Sequence, residues 1–161
     1  MKTLALSAFA CLLAAPALAE SHVTGDAAAG EAAFARQCIS CHVVVNAEGE
    51  TLAGRTSKTG PNLYGIAMRP AGSVEGYRYG KSIVAAGEAG NTWTEANFVS
   101  YLQDPTAWLR ETLNDPKARG KMTFKVRKAE DATNMYAYLV SLGPELDMTG
   151  GEGGEAPAPT N

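Results

Sequence analysis

The chain has 161 residues, 45% hydrophobic and 19% charged, with a formal net charge of −3 at pH 7. That length is enough for one domain with one core, and no second domain need be sought. Composition is that of an ordinary globular protein, and the mild acidity argues against general nucleic-acid binding.

The first residues have the form of an export signal. Met1 and Lys2 give a short positive start, Leu4 to Leu18 an apolar stretch, and Ala17-Leu18-Ala19 the small-x-small pattern that precedes cleavage. Residues 1–19 are therefore read as a signal peptide, and the mature protein is expected to begin near Glu20 in the bacterial periplasm. A membrane anchor fits less well, because the stretch is too short for about 30 Å of hydrocarbon and Pro16 interrupts it. Cys11 lies deep in the apolar region behind Ala8, Phe9 and Ala10, a poor approach to a lipidation site, and should leave with the signal. Two cysteines then remain in an oxidising compartment, where a pair ordinarily suggests a disulfide.

Their spacing suggests otherwise. A helix is expected from Asp26, a plausible N-cap, to about Gln37, with Gly30 and Phe34 on one face. It runs into Cys38-Ile39-Ser40-Cys41-His42, the CxxCH pattern. Two thiols separated by two residues can each add to one vinyl group of a haem, while the adjoining histidine lies beneath the iron as its proximal ligand. A thioredoxin-like CxxC wants a strand before the motif and a helix beginning at it. A zinc half-site wants another Cys or His pair, and only His22 is left, read as a solvated residue beside the cleavage site.

Downstream, 46–50 (Asn-Ala-Glu-Gly-Glu) looks like a surface turn, and the region from Pro70 to Asn91 reads as a glycine-rich loop. Thr94 can cap a helix to about Gln103 that buries Phe98, Tyr101 and Leu102. Pro105, behind Asp104, can open another to Leu113. A loop from Leu113 to Lys128 follows, bent by Pro116 and Gly120. The last helix is expected over Ala129 to Leu142, where Met135, Tyr138, Leu139 and Leu142 form an i, i+3, i+4, i+7 stripe before Gly143 and Pro144. No alternating strand run competes, so the domain is read as all-α over residues 20–146. Its helices are few and short, so a haem must serve as much of the core. Residues 147–161, rich in Gly, Glu, Ala and Pro, are read as disordered.

Four methionines survive processing as candidate sixth ligands. Met68 lies too soon after 60–63 (Gly-Pro-Asn-Leu), Met135 falls on the buried face of a helix, and Met148 lies in the tail. Met122 sits in the long loop, which can bring it across the opposite haem face. That same loop holds Lys117, Arg119, Lys121, Lys125, Arg127 and Lys128 with no acidic residue between Pro116 and Ala129. It should surround the distal haem edge and steer a partner with an acidic patch, with Lys58 adding charge from the proximal side.

From about Gly25 to Gly143 the chain resembles the class I cytochromes c, of the mitochondrial and bacterial cytochrome c2 type. The markers are Gly30 and Phe34, 58–63 (Lys-Thr-Gly-Pro-Asn-Leu), Trp93, Tyr101-Leu102 with Pro105, 121–124 (Lys-Met-Thr-Phe), and Tyr138-Leu139. The resemblance implies the class I fold, a few short helices wrapped around one covalent haem c. It implies that the Pro61 carbonyl accepts a hydrogen bond from His42, that Trp93 and Tyr79 approach a haem propionate, and that Tyr101 bonds near the Met122 sulfur. Longer loops between His42 and Pro61 and between Pro70 and Asn91 leave the roles of Tyr77 and Tyr79 open. Histidine–methionine ligation leaves iron no free position, so single-electron Fe(II)/Fe(III) exchange is expected rather than enzymatic turnover, and methionine raises the potential. By the same resemblance the donor is a cytochrome bc1-type complex and the acceptor a terminal oxidase or photosynthetic reaction centre. The carrier is expected to be a monomer that meets the membrane only through such partners. The competing class is a haem enzyme or gas-binding protein in which Met122 does not bind iron.

Overall fold

A computed structural model describes residues 23–145. The segment expected to be a signal peptide, His22, Met148 and the Gly/Glu/Pro/Ala tail, all named above, lie outside the described residues. Along the chain run α1 (Ala27–Gln37), β1 (Val44–Val45), β2 (Thr51–Ala53), α2 (Lys81–Glu88), α3 (Glu95–Gln103), α4 (Pro105–Thr112) and α5 (Ala129–Leu142). None of these helices is long and apolar enough to cross a membrane.

The helix starts follow from capping. The Asp26 carboxylate accepts from the Ala29 amide at 2.9 Å, the Thr94 hydroxyl from Asn97 at 3.2 Å, and the Asp104 carboxylate from Ala107 at 3.0 Å. Each satisfies an amide that the first turn leaves without a partner. Pro105, which has no amide to satisfy, opens α4. The main crossing joins α1 to α5. A Cβ at Gly30 would lie 1.9 Å from the Asn134 carbonyl oxygen, so only glycine permits this approach. Phe34 packs on Tyr138 with ring centroids 5.7 Å apart, and Met135 and Leu139 are buried beneath them.

Two expectations change. The region from Pro70 to Asn91 is not loop throughout, since it contains α2, a two-turn helix that buries Ile83 and Ala86. Its glycines hid it: Gly80 is the N-cap, and Gly87 sits where a Cβ would meet the Ala71 carbonyl oxygen at 2.0 Å. Strands are also present. Residues 46–50 turn as expected, and they join β1 and β2 as an antiparallel hairpin with an irregular register at Val44–Val45. Strands of two and three residues are too short to show alternation in sequence.

Candidate haem-binding site

The CxxCH motif occupies the turn that leaves α1. Cys38 caps the helix, and the amides of Cys41 and His42 both donate to its carbonyl, at 3.0 and 2.9 Å. The segment that follows is pinned to the 60–63 turn at three points. The Gly60 amide donates to the Cys41 carbonyl at 2.7 Å and the Leu63 amide to the Val43 carbonyl at 2.9 Å. The Asn62 side chain accepts from the Val45 amide at 2.9 Å and donates to its carbonyl at 2.7 Å. Gly60 lies against the imidazole so closely that a Cβ there would be 2.3 Å from Cε1 of His42.

This frame fixes the histidine. Its Nδ1–H donates to the Pro61 carbonyl at 3.0 Å, which leaves Nε2 as the lone-pair nitrogen. Burial lowers the imidazole pKa, against the opposing pull of the Pro61 bond, so the ring is held neutral at pH 7. Both thiols are free. Burial, reinforced by Cys41, pushes the Cys38 thiol up to about 12, which keeps it a protonated, apolar group rather than a reactive thiolate. The Cys38 sulfur lies 3.7 Å from the Met135 sulfur.

These groups face a cavity of about 570 Å³, within the range that holds a large cofactor. Cys38, Cys41, His42 and Pro61 line it, as do Tyr79, Trp93 and Tyr101. Met122 reaches it from the long loop, together with Arg119 and Lys121. Of the other methionines, Met68 lies outside and is 42% exposed, with its backbone at φ 60°. Met135 does line the cavity, a position the helical stripe alone did not reveal, but its sulfur rests beside the attachment thiol. The walls are mostly apolar, and among the described residues no group of three or more His, Cys, Asp or Glu could hold a bare metal ion. A flat apolar group that bonds two thiols and brings its own iron fits this donor set, and a zinc ion does not.

The aromatic wall is one stacked unit. Trp93 lies on Trp108 with centroids 5.5 Å apart and an interplanar angle of 27°, and meets Tyr101 edge-on at 4.9 Å. Trp108, not singled out in the sequence, thus supports the residue facing the cavity. The buried Tyr136 hydroxyl donates to the Trp93 carbonyl at 2.9 Å and ties this wall to α5. Burial pushes the Tyr79 hydroxyl up to about 12 and raises that of Tyr101 further, so both remain neutral donors. Tyr77 meets Tyr79 edge-on and donates to the Thr59 carbonyl at 2.8 Å, closing the rim.

The six basic residues of the 116–129 stretch are all exposed, and two of them, Arg119 and Lys121, stand at the cavity wall. Phe124, 48% exposed, adds an apolar surface among them. The stretch is not free of acidic company, however. Lys125 is paired with Asp104 at 2.6 Å, because the loop folds back on the α3–α4 junction.

A helical domain with a CxxCH turn, a histidine oriented by a proline carbonyl and a downstream methionine on the same cavity defines a monohaem c-type electron carrier. The chain belongs to the cytochrome c family, whose description matches residues 27–143. It is similar to the cytochrome c2 of Rhodovulum adriaticum, 62% identical over 121 residues that cover 75% of this chain and 95% of that protein. It is also similar to a cytochrome c2 of Cereibacter sphaeroides, 51% identical over 136 residues, 84% of this chain and 91% of that one. Among solved structures, cytochrome c2 from Rhodobacter sphaeroides superposes with a TM-score of 0.71 at 50% identity, covering 73% of this chain and 96% of that one. Ferric cytochrome c-550 from Paracoccus versutus gives 0.69 at 40% identity, covering 74% and 99%. The protein is therefore an electron carrier with one covalent haem c and not an enzyme.

Proposed function

We propose that the protein shuttles single electrons in the periplasm, between a bc1-type donor and a terminal oxidase or reaction centre, after loss of residues 1–19. In this reading Cys38 and Cys41 would hold the haem through thioether bonds, and His42 Nε2 and the Met122 sulfur would ligate its iron. Pro61, Tyr79, Trp93 and Tyr101 form the surrounding wall. The observation that carries it is the meeting, in one cavity, of two thiols, a neutral oriented imidazole and a thioether from far downstream. The bound haem supplies reversible Fe(II)/Fe(III) exchange. The chain supplies everything else. His42 is held in one tautomer by Pro61, so its lone pair stays aimed without cost at each turnover. Apolar walls keep water out and favour the lower-charged state of the iron. Arg119 and Lys121 at the cavity wall attract an acidic partner to the place where electrons leave.

Stopped-flow electron transfer to an acidic redox partner tests the docking. The rate should fall steeply as salt rises, because screening shortens to about 8 Å at physiological ionic strength. At low salt, Arg119→Glu and Lys121→Glu should each slow association by about threefold to tenfold with little change in potential. Glu48→Lys, on the hairpin turn, should do little. Rates that are flat or rise with salt would reduce the basic stretch to a solubilising surface.

A further inference from the structure

Little backbone holds the Met122 segment. Upstream, the Ala118 amide donates to the Asp115 carbonyl at 3.1 Å, and downstream the Val126 amide donates to the Leu102 carbonyl at 2.8 Å. Between them, residues 119–125 make no backbone-to-backbone hydrogen bond among the described residues. Among the described residues, three hydrogen bonds that use a side chain tie this stretch to the rest of the domain. The ammonium groups of Lys121 and Lys125 bond to the Arg78 carbonyl and to Asp104. Both lysine side chains are long and their ends lie in solvent. The third contact alone reaches the backbone: the Arg119 amide donates to the Ser82 hydroxyl at 3.1 Å.

Ser82 is well placed to anchor something. It stands in the first turn of α2, and α2 is fixed on its other side. Ile83 and Ala86 are buried, Gly87 lies against the Ala71 carbonyl, and both the amide and the side chain of Asn91 donate to the Ala86 carbonyl. A one-carbon side chain on a packed helix has little freedom to lose, so its hydrogen bond resists opening better than a lysine's does.

We propose that Ser82 is a positioning residue: its hydroxyl latches the Arg119 amide and so holds the segment that presents Met122 to the iron. The inference rests on the reading of Met122 as an axial ligand. It also gives α2 a role, as the rigid post to which the distal segment is tied. Segments with few backbone hydrogen bonds open locally at low free energy, so losing one bond changes the open population directly.

Imidazole binding to the ferric, haem-loaded protein reads that population, since an added nitrogen ligand enters only when Met122 withdraws. Ser82→Ala should raise the apparent imidazole affinity by about threefold to tenfold and speed hydrogen exchange at the Arg119 amide. Ser82→Thr, which keeps the hydroxyl, should behave as the parent does. Met122→Ala should bind imidazole far more tightly, and adding Ser82→Ala to it should change nothing more. An effect of Ser82→Ala that persists undiminished beside Met122→Ala would show that Ser82 does not act through Met122, and would overturn the latch. So would parent-like binding by Ser82→Ala while Met122→Ala binds tightly. If Met122→Ala itself leaves imidazole binding unchanged, the axial assignment fails and the latch fails with it.

Discussion

The α1–α5 crossing and the 119–125 segment border the same cavity, yet opposite means hold them. The crossing is backbone against backbone: Gly30 lets one helix sink onto the other, and Phe34, Met135, Tyr138 and Leu139 fill what remains. Cys38 is rigid because it caps that helix. The distal segment instead hangs from side chains, bears half of the exposed basic residues of its stretch, and leaves Phe124 half in solvent. The comparison separates two demands on a carrier. Attachment and the proximal ligand need a fixed frame, whereas the distal edge must present charge and an accessible surface to partners, which close packing would bury.

The same substitution in the two regions should give the largest contrast. Gly30→Ala gains about 1 kcal/mol in helix propensity, but its methyl would strike the Asn134 carbonyl, and overpacking against backbone costs about 3 kcal/mol or more. The net loss should be about 2 kcal/mol in denaturant unfolding. Gly120→Ala meets nothing nearer than Leu109 Cδ1 at 3.4 Å, so its stability should stay within about 0.5 kcal/mol of the parent. Equal effects at both positions would erase the distinction.

How much of this was legible in the sequence follows the same division. The Ala129–Leu142 stripe and the caps Asp26, Thr94 and Asp104 place α1, α3, α4 and α5 within a residue or so of where they lie, because capping and apolar periodicity are local properties. Helix α2 was hidden since Gly87, which meets Ala71, and Gly72, which meets Ile83, serve contacts that no local pattern reveals. The CxxCH turn and Met122 stood out by residue type and position. Their neighbours did not: Trp108 beneath Trp93, Met135 beside Cys38, Tyr136 on the Trp93 carbonyl and Ser82 on Arg119 are all long-range pairings. The basic stretch read as unopposed because Asp104, its partner at Lys125, belongs to another element.

A smaller effect should appear at that ion pair, which ties the distal segment to the helical frame. The Lys125 hydrogen bond, helped by the Ala107 amide, holds the Asp104 carboxyl below its usual value. A carboxyl with a depressed folded pKa adds stability above its unfolded value of 3.8, and that stability is lost as pH falls through the folded one. Asp104→Asn keeps an N-cap acceptor but not the charge. Its stability should match the parent's in strong acid and fall slightly below it at neutral pH, most clearly at low salt. A constant difference across the acid limb would show that Asp104 acts only as a cap.

The central claim is that Met122, and no other methionine, closes the iron's sixth position opposite His42. Carbon monoxide added to the ferrous, haem-loaded protein tests it most directly, by absorbance, in the parent, Met122→Ala and Met135→Ala. The parent and Met135→Ala should show no ready binding, and Met122→Ala should bind immediately. Ready binding by the parent, or an open site created by Met135→Ala and not by Met122→Ala, would contradict it.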